Sequence, residues 1–358
     1  MKKNLIIILI CLIYLFTSCT KTTTATFGWK EIGSLNANGA IKLMKFDANN
    51  NLYVTGDFKD AKGYYYIAKW NGTGWIELGG LNANGHINDV AFDPDGNIYA
   101  GGAFRDSVGR PYVAKWNGSS WTEFYSQYDG EIYGLSINAT GNIFKATEFY
   151  VSKEYMSVGR WNGAAFMEVK GGNSLTSISS DILFDSYGNL YAIGSLSGTS
   201  LKNICEWNGT TWVPINSGSN APSLDNPIFA ISETNDLYAP YAETGRTGIY
   251  DITKWDGTSW NIVGSSKSLS LNANNKILAL AIDNSKNVYA AGAFRNSNSY
   301  RYVAKWNGLG WSEVGNSIMA LRANNDINCL AVDASGNIYA AGTFTDKNGY
   351  AYVAEYLQ

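Results

Sequence analysis

The chain has 358 residues, with 27 Lys and Arg against 30 Asp and Glu and a single histidine, a formal net charge of −3. That balance excludes a basic nucleic-acid face, and one histidine excludes a His-rich metal site. Charged residues form 16% of the sequence and aromatics 14%, against about 25% charged in average soluble domains, which is the balance of a β-rich exported protein.

In chain order the first segment is a leader. Lys2 and Lys3 precede an apolar run from Leu5 to Phe16, the length of a signal-peptide core and too short to span a bilayer. It closes in "LFTSC", ending at Cys19, which resembles a bacterial lipobox, with Phe16 where that motif usually carries an aliphatic residue. The resemblance implies lipidation of Cys19, and each buried CH₂ of such an anchor contributes about 0.8 kcal/mol. Residues 1–18 are then a lipoprotein signal peptide, and 19–26 a short tether. Removing Lys2 and Lys3 leaves 25 basic against 30 acidic residues, a net charge of −5. Of the four cysteines, Cys205 and Cys329 lie in different repeats at a spacing that matches no metal motif. Cys205 takes the place that alanine holds in "VAKW" and reads as a small buried residue, and a disulfide between the two is not expected.

Beyond the tether one pattern recurs. "FKDAKGYYYIAKWNGTGW" (58–75), "FRDSVGRPYVAKWNGSSW" (104–121) and "FRNSNSYRYVAKWNGLGW" (294–311) are versions of one unit. Its leading tryptophan returns at Trp70, Trp116, Trp161, Trp207, Trp255 and Trp306, spaced by 45 to 51 residues, and Tyr356 takes the next place. Its second aromatic returns at Trp75, Trp121, Phe166, Trp212, Trp260 and Trp311, and once before any leading tryptophan, at Trp29.

Each period reads as four short strands rich in Val, Ile, Tyr and Trp, separated by Gly and Asn, with no helical periodicity. First strands are predicted to begin near Ile41, Ile87, Ile132, Ile182, Ile228, Ile277 and Ile327. Asn-Gly between the third and fourth strands signals a hairpin. A two-residue loop would make Trp70 and Trp75 diagonal neighbours, and a four-residue loop would set them opposite; either way both rings share a face.

Units of this length with four strands indicate propeller blades. The predicted fold is all-β: a seven-bladed β-propeller over 27–358, closed by an N-terminal strand, "FGWKEIG", that completes the C-terminal blade. Closure hides edges that would otherwise template aggregation.

The "WNGxxW" unit with "GNIYAxGxF" resembles the repeats of bacterial extracellular β-propeller lipoproteins, and is distantly similar to Kelch-type and galactose-oxidase-like propellers. It departs from Kelch, whose double glycine stands clear only at Gly101–Gly102, and lacks the Trp-Asp ending of WD-type repeats. The resemblance implies the fold far better than the function.

In such a ring the loops entering first strands and those joining second to third strands share one face. The opposite face carries tight turns such as "DPDGN" (93–97) and is expected to be compact. That turn echoes the start of a calcium loop without its distal Glu, and Asp is expected there as a turn former, so no metal or other cofactor is expected. The loop face reads "LNANGAI", "LNANGHI", "LNANNKI" and "LRANNDI" in blades 1, 2, 6 and 7. Candidate ligand-binding residues are Asn38, Asn84, His86, Arg105, Glu131, Tyr155, Asn274, Arg295 and Asn325. Amides, hydroxyls, aromatics and guanidinium groups suit a glycan or other polar polymer, though NANG is also simply a good turn former. A triad would depend entirely on His86, and Asp129 with Glu131 could serve glycoside chemistry only at the right separation. The expected role is therefore recognition at the bacterial cell envelope, with membrane attachment through Cys19 and a glycan or envelope protein as partner. A protein scaffold, or a polysaccharide hydrolase or lyase, is the alternative.

Overall fold

The computed structural model describes residues 28–358 apart from 127–129, 150–154, 198–201, 216–219, 223–227, 265–268 and 316–318. Cys19, the leader and the tether lie outside the described residues. All regular elements among the described residues are strands, arranged as seven four-stranded antiparallel sheets. Six sheets are contiguous in sequence. The seventh joins Ile327–Val332, Ile338–Gly342 and Ala354–Tyr356 to Trp29–Glu31. Trp29 lies opposite Tyr356 in that pairing, so the ring closes as the repeat phase predicts.

The blade is built outward from its second strand. Leu52–Gly56, Ile98–Gly102, Val288–Gly292 and Ile338–Gly342 are buried at every position, because both pleat faces meet neighbouring blades. Core clusters accordingly mix two blades: Ile41, Leu52, Val54 and Phe58 of blade 1 pack with Tyr339, Ala341 and Val353 of blade 7. First strands of blades 1, 2, 6 and 7 begin at Ile41, Ile87, Ile277 and Ile327 as predicted, and blade 3 at Ile132. Blade 4 differs: its first strand runs Leu175–Phe184, with register shifts between Leu175 and Ser177 and between Ile178 and Ile182. The predicted start at Ile182 marked only its last three residues, which pair regularly with Leu190–Ala192. In blade 5 the strand shortens to Ala230–Ile231, two residues past the predicted Ile228.

The third-to-fourth connection is the four-residue alternative. Trp70 sits opposite Trp75, Trp116 opposite Trp121 and Trp306 opposite Trp311. Asn71 does not take the left-handed conformation a two-residue turn would demand; Gly72 alone in that turn does, at φ 91°. Asn71 instead closes the loop by accepting the N–H groups of Thr73 and Gly74 on its Oδ1.

Each outer tryptophan also latches its blade to the one before. Trp75 Nε1 donates to the Ile32 carbonyl at 2.8 Å, Trp121 to Leu78 at 3.1 Å, Trp212 to Val169 at 3.0 Å and Trp260 to Ile215 at 2.8 Å. Trp311 donates to Val263 at 3.2 Å, and Trp29 to Val314 at 2.9 Å. Phe166 has no N–H to give, so the interface between blades 2 and 3 lacks the latch. There Phe124 and Tyr125 pack on Trp161 instead, with ring centroids 4.9 and 5.0 Å away.

In the turns between first and second strands the leading aspartate is spent on its own turn. Asp93 accepts the backbone N–H groups of Asp95 and Asn97 on Oδ1, and the Asn97 amide and Tyr99 hydroxyl on Oδ2. Asp47, Asp283 and Asp333 repeat the clamp on their own Asn and Tyr.

Candidate functional site

The NANG loops have a structural function that the sequence did not disclose. Their leucines, Leu35, Leu81, Leu271 and Leu321, are buried. The next residue, Asn36, Asn82, Asn272 or Arg322, turns left-handed at φ 49–50°. That presents the following alanine to the preceding blade: Ala37 bridges Ala351, Ala83 bridges Tyr65, Ala273 bridges Tyr250 and Ala323 bridges Arg301. The loops therefore stitch blade to blade across four interfaces.

The candidate asparagines complete this stitch. Asn38 Oδ1 accepts the Lys59 N–H at 2.8 Å while its Nδ2 donates to the Lys59 carbonyl at 3.0 Å. Asn84 does the same with Arg105, and Asn274 with Arg295. In blade 7 the clamp is Asn324 on Thr345. Asn325, the candidate ligand-binding residue of this loop, is exposed and occupies the position of Gly39 and Gly85. In "RANND" two adjacent asparagines compete for one role, and only the backbone tells them apart. Arg105 and Arg295 curl onto their own loops, donating to the Gly109 and Ser299 carbonyls at 2.9 and 3.3 Å; the rest of each fork, five donors in all, stays with solvent. Tyr155 opens its strand opposite Phe149, and its side chain is outside the described residues, as is Asp129.

What the structure does gather is a charged and aromatic cluster where blades 1, 2 and 3 meet the channel mouth. His86 Nδ1 lies 3.1 Å from Asp57 Oδ1, and Lys42 Nζ 2.8 Å from the same oxygen. On the other side of the imidazole, Nε2 lies 3.3 Å from the Tyr65 hydroxyl, with the two rings 4.4 Å apart. Lys59 Nζ stands 4.4 Å over Tyr65, within cation–π range. The imidazole thus sits between the Asp57 carboxylate on its Nδ1 side and the Tyr65 hydroxyl on its Nε2 side. Farther round, Asn88 Nδ2 donates to Glu131 Oε1 at 2.6 Å and to the Ile132 carbonyl at 2.9 Å, tying blade 2 to blade 3 where no NANG stitch exists.

Local backbone explains the gathering. Lys42 and Asn88 are the bulged residues of their first strands, skipped between Ile41 and Leu43 and between Ile87 and Asp89. A bulge re-aims its side chain. The facing residue must be glycine: a Cβ on Gly56 would stand 2.1 Å from the Ala40 carbonyl oxygen, and one on Gly102 2.0 Å from that of His86. Of the predicted residues, His86 and Glu131 belong to this cluster. Lys42, Asp57, Lys59 and Tyr65 were not selected as ligand-binding residues. Asp57 carried a usable signal, since the same place in the other regular repeats is Ala103, Ala293 or Thr343.

The fold and this loop face define the class, a seven-bladed β-propeller with a polar, loop-built mouth. No family model and no curated protein matches the sequence. Among solved structures the chain is similar to YCF48 bound to D1 peptide, at 14% identity and TM-score 0.62 over 92% of this chain and 97% of that one. It is similar to a catalytically inactive virginiamycin B lyase from Staphylococcus aureus with quinupristin, at 12% identity and TM-score 0.61, covering 93% and 100%. A third likeness is PorZ, a bacterial surface component of the type-IX secretion system of Porphyromonas gingivalis, at 13% identity and TM-score 0.58, covering 88% of this chain and 46% of that one. At these identities the likeness establishes the fold.

Proposed function

We propose that this protein is a recognition module of the bacterial cell envelope, held to the outer membrane through a lipid on Cys19, whose loop face binds a glycan or other polar polymer. The observation that carries the reading is the Lys42–Asp57–His86–Tyr65 cluster with Glu131 beside it: both charge signs, an imidazole and a phenol converge on one mouth held by rigid strands. These groups can meet hydroxyls and carboxylates together, which polar polymers offer repeatedly. The clamped asparagines position the loops, and Arg105, Arg295 and the exposed Asn325 extend the surface.

A second reading, a scaffold for envelope proteins, draws support from YCF48 with its bound peptide and from PorZ as a surface component. The two readings separate in one experiment. Protein lacking residues 1–26 is applied to an array of oligosaccharides and, in parallel, used to capture partners from solubilised envelope. Saturable glycan binding that falls at least tenfold in the Lys42→Ala/His86→Ala double variant supports the first reading. Binding that is indifferent to that variant overturns the assignment of the site, and protein capture without any glycan binding supports the scaffold. Protease cleavage on intact cells, with lysed cells as control, tells which side of the outer membrane the face addresses.

A further inference from the structure

The tight-turn face is not uniformly compact. Between blades 3 and 4 a cleft of about 1100 Å³ opens beside the turns at Asn142 and Asn189 and those at Asn162 and Asn208. Ligand pockets usually enclose about 300–1,000 Å³. One wall is Phe144, Arg160 and Met167 of blade 3, and the other is Phe184, Leu190 and Trp207 of blade 4. Met167 is 56% exposed, so apolar surface reaches the rim.

Comparison with the other blades shows what is unusual here. In blades 1, 2, 5 and 6 the position of Arg160 is a lysine whose ammonium lies over a tyrosine of its own blade: Lys69 over Tyr53, Lys115 over Tyr99, Lys254 over Tyr238 and Lys305 over Tyr289. Two of these cations also reach a turn carboxylate, Lys254 to Asp236 at 3.0 Å and Lys115 to Asp93 at 3.9 Å. Blade 3 differs at three positions of this set: Asn138 stands where blade 2 has Asp93, Phe144 where the tyrosine is and Arg160 where the lysine is. Arg160 stacks 5.8 Å from the Phe144 ring and donates to Asn142 Oδ1 at 3.2 Å. No carboxylate among the described residues lies within ion-pair distance of it. A planar guanidinium matches a carboxylate with two parallel N–H donors; Lys170 adds a second cation to the lining, and Glu168 and Glu206 are the carboxylates on it, neither within ion-pair distance of Arg160.

We infer that the cleft between blades 3 and 4 is a second binding site, for an acidic sugar residue such as a uronate, with the Arg160 guanidinium on the carboxylate and the Trp207 indole against the C–H face of the ring. The pairing needs both features. A neutral sugar leaves the guanidinium without its anion, and a flexible acidic side chain has no flat face for the indole. The site is separate from the loop face in position and in residues, so each can fail without the other.

Calorimetric titration of protein lacking residues 1–26 tests this with three probes: trigalacturonate, maltotriose and hexaglutamate. Trigalacturonate is expected to bind at least tenfold more tightly than either other probe. Arg160→Met, on an exposed position, is expected to remove that binding with the thermal midpoint unchanged, and Arg160→Lys to recover only part of it. Lys42→Ala/His86→Ala is expected to leave it intact. Absence of trigalacturonate binding, or binding equal in Arg160→Met, overturns the inference. Hexaglutamate binding as tightly as trigalacturonate also overturns it, because the cleft would then respond to charge alone.

Discussion

Replacing Trp260 by phenylalanine isolates the interblade latch. Trp260 is 1% exposed, and its indole N–H meets the Ile215 carbonyl of blade 4 at 2.8 Å. Phenylalanine keeps the ring and deletes the donor, which orphans a carbonyl in a site closed to water; that costs about 1–3 kcal/mol. Large aromatics bury about 150–250 Å². The indole-to-phenyl difference, up to about 50 Å², adds roughly 1 kcal/mol at about 25 cal/mol per Å². The expected loss is therefore about 2–4 kcal/mol in equilibrium urea unfolding. Trp311→Phe supplies the internal comparison: Trp311 is only half-buried and its bond to Val263 is longer, at 3.2 Å, so water can replace the lost donor and the loss should be about half as large. Equal losses at the two positions, or a Trp260→Phe loss below about 0.5 kcal/mol, would refute the latch as a source of ring stability.

Two further expectations concern titratable groups in the ring. Burial, with Glu243 adding to it, raises the Asp251 carboxyl above its ordinary value of 3.8, so the native state holds that proton more tightly than the unfolded chain. The resulting stability is complete below pH 3.8 and is lost as pH rises through the raised value. Asp251→Asn keeps the acceptor for the Asn272 N–H and escapes that loss, so its unfolding midpoint relative to the parent should climb between about pH 3.5 and pH 7; an offset independent of pH would sink the argument. Cys205 and Cys329 form no disulfide, and burial pushes both thiols up to about 12. At pH 8 only about one molecule in ten thousand then carries a thiolate at either site. Protein lacking residues 1–26 should be inert to Ellman's reagent while folded and release two equivalents in denaturant; prompt reaction of the folded protein would show that either thiol is accessible.

The period of the tryptophans carried the ring closure and the blade count, because each pair of aromatics must meet the next blade and so repeats with the architecture. The most displaced strand start, Ile182 for Leu175, falls where the blade breaks register twice, and irregular pairing leaves no period to follow. The loop asparagines were visible, but their backbone clamp was not, since an amide clamped on a backbone and one facing solvent are the same letter. Adjacent Asn324 and Asn325 differ in this way: the first clamps Thr345 and the second is exposed. The mouth cluster was half legible: His86 stood out by composition, whereas Lys42 depends on a bulge and Tyr65 on a neighbouring blade. The cleft between blades 3 and 4 was signalled by three coordinated exceptions, Asn138, Phe144 and Arg160, each of which looks conservative alone.

The strand Trp29–Glu31 is made early and joined late. Its partner Tyr356 comes 327 residues later in the chain, on the order of half a minute of synthesis at about 5–20 residues per second. Throughout that interval the strand is an open edge, and its indole has no carbonyl until Val314 arrives in blade 6. Six sheets are complete once their own consecutive strands are made, and only the seventh waits for the strand Ala354–Tyr356. A chain interrupted before Ala354 exposes two edges at once, Trp29–Glu31 and Ile338–Gly342, and both are templates for another copy's strand. Quality control of such a protein therefore has one late checkpoint to watch, the arrival of its last strand.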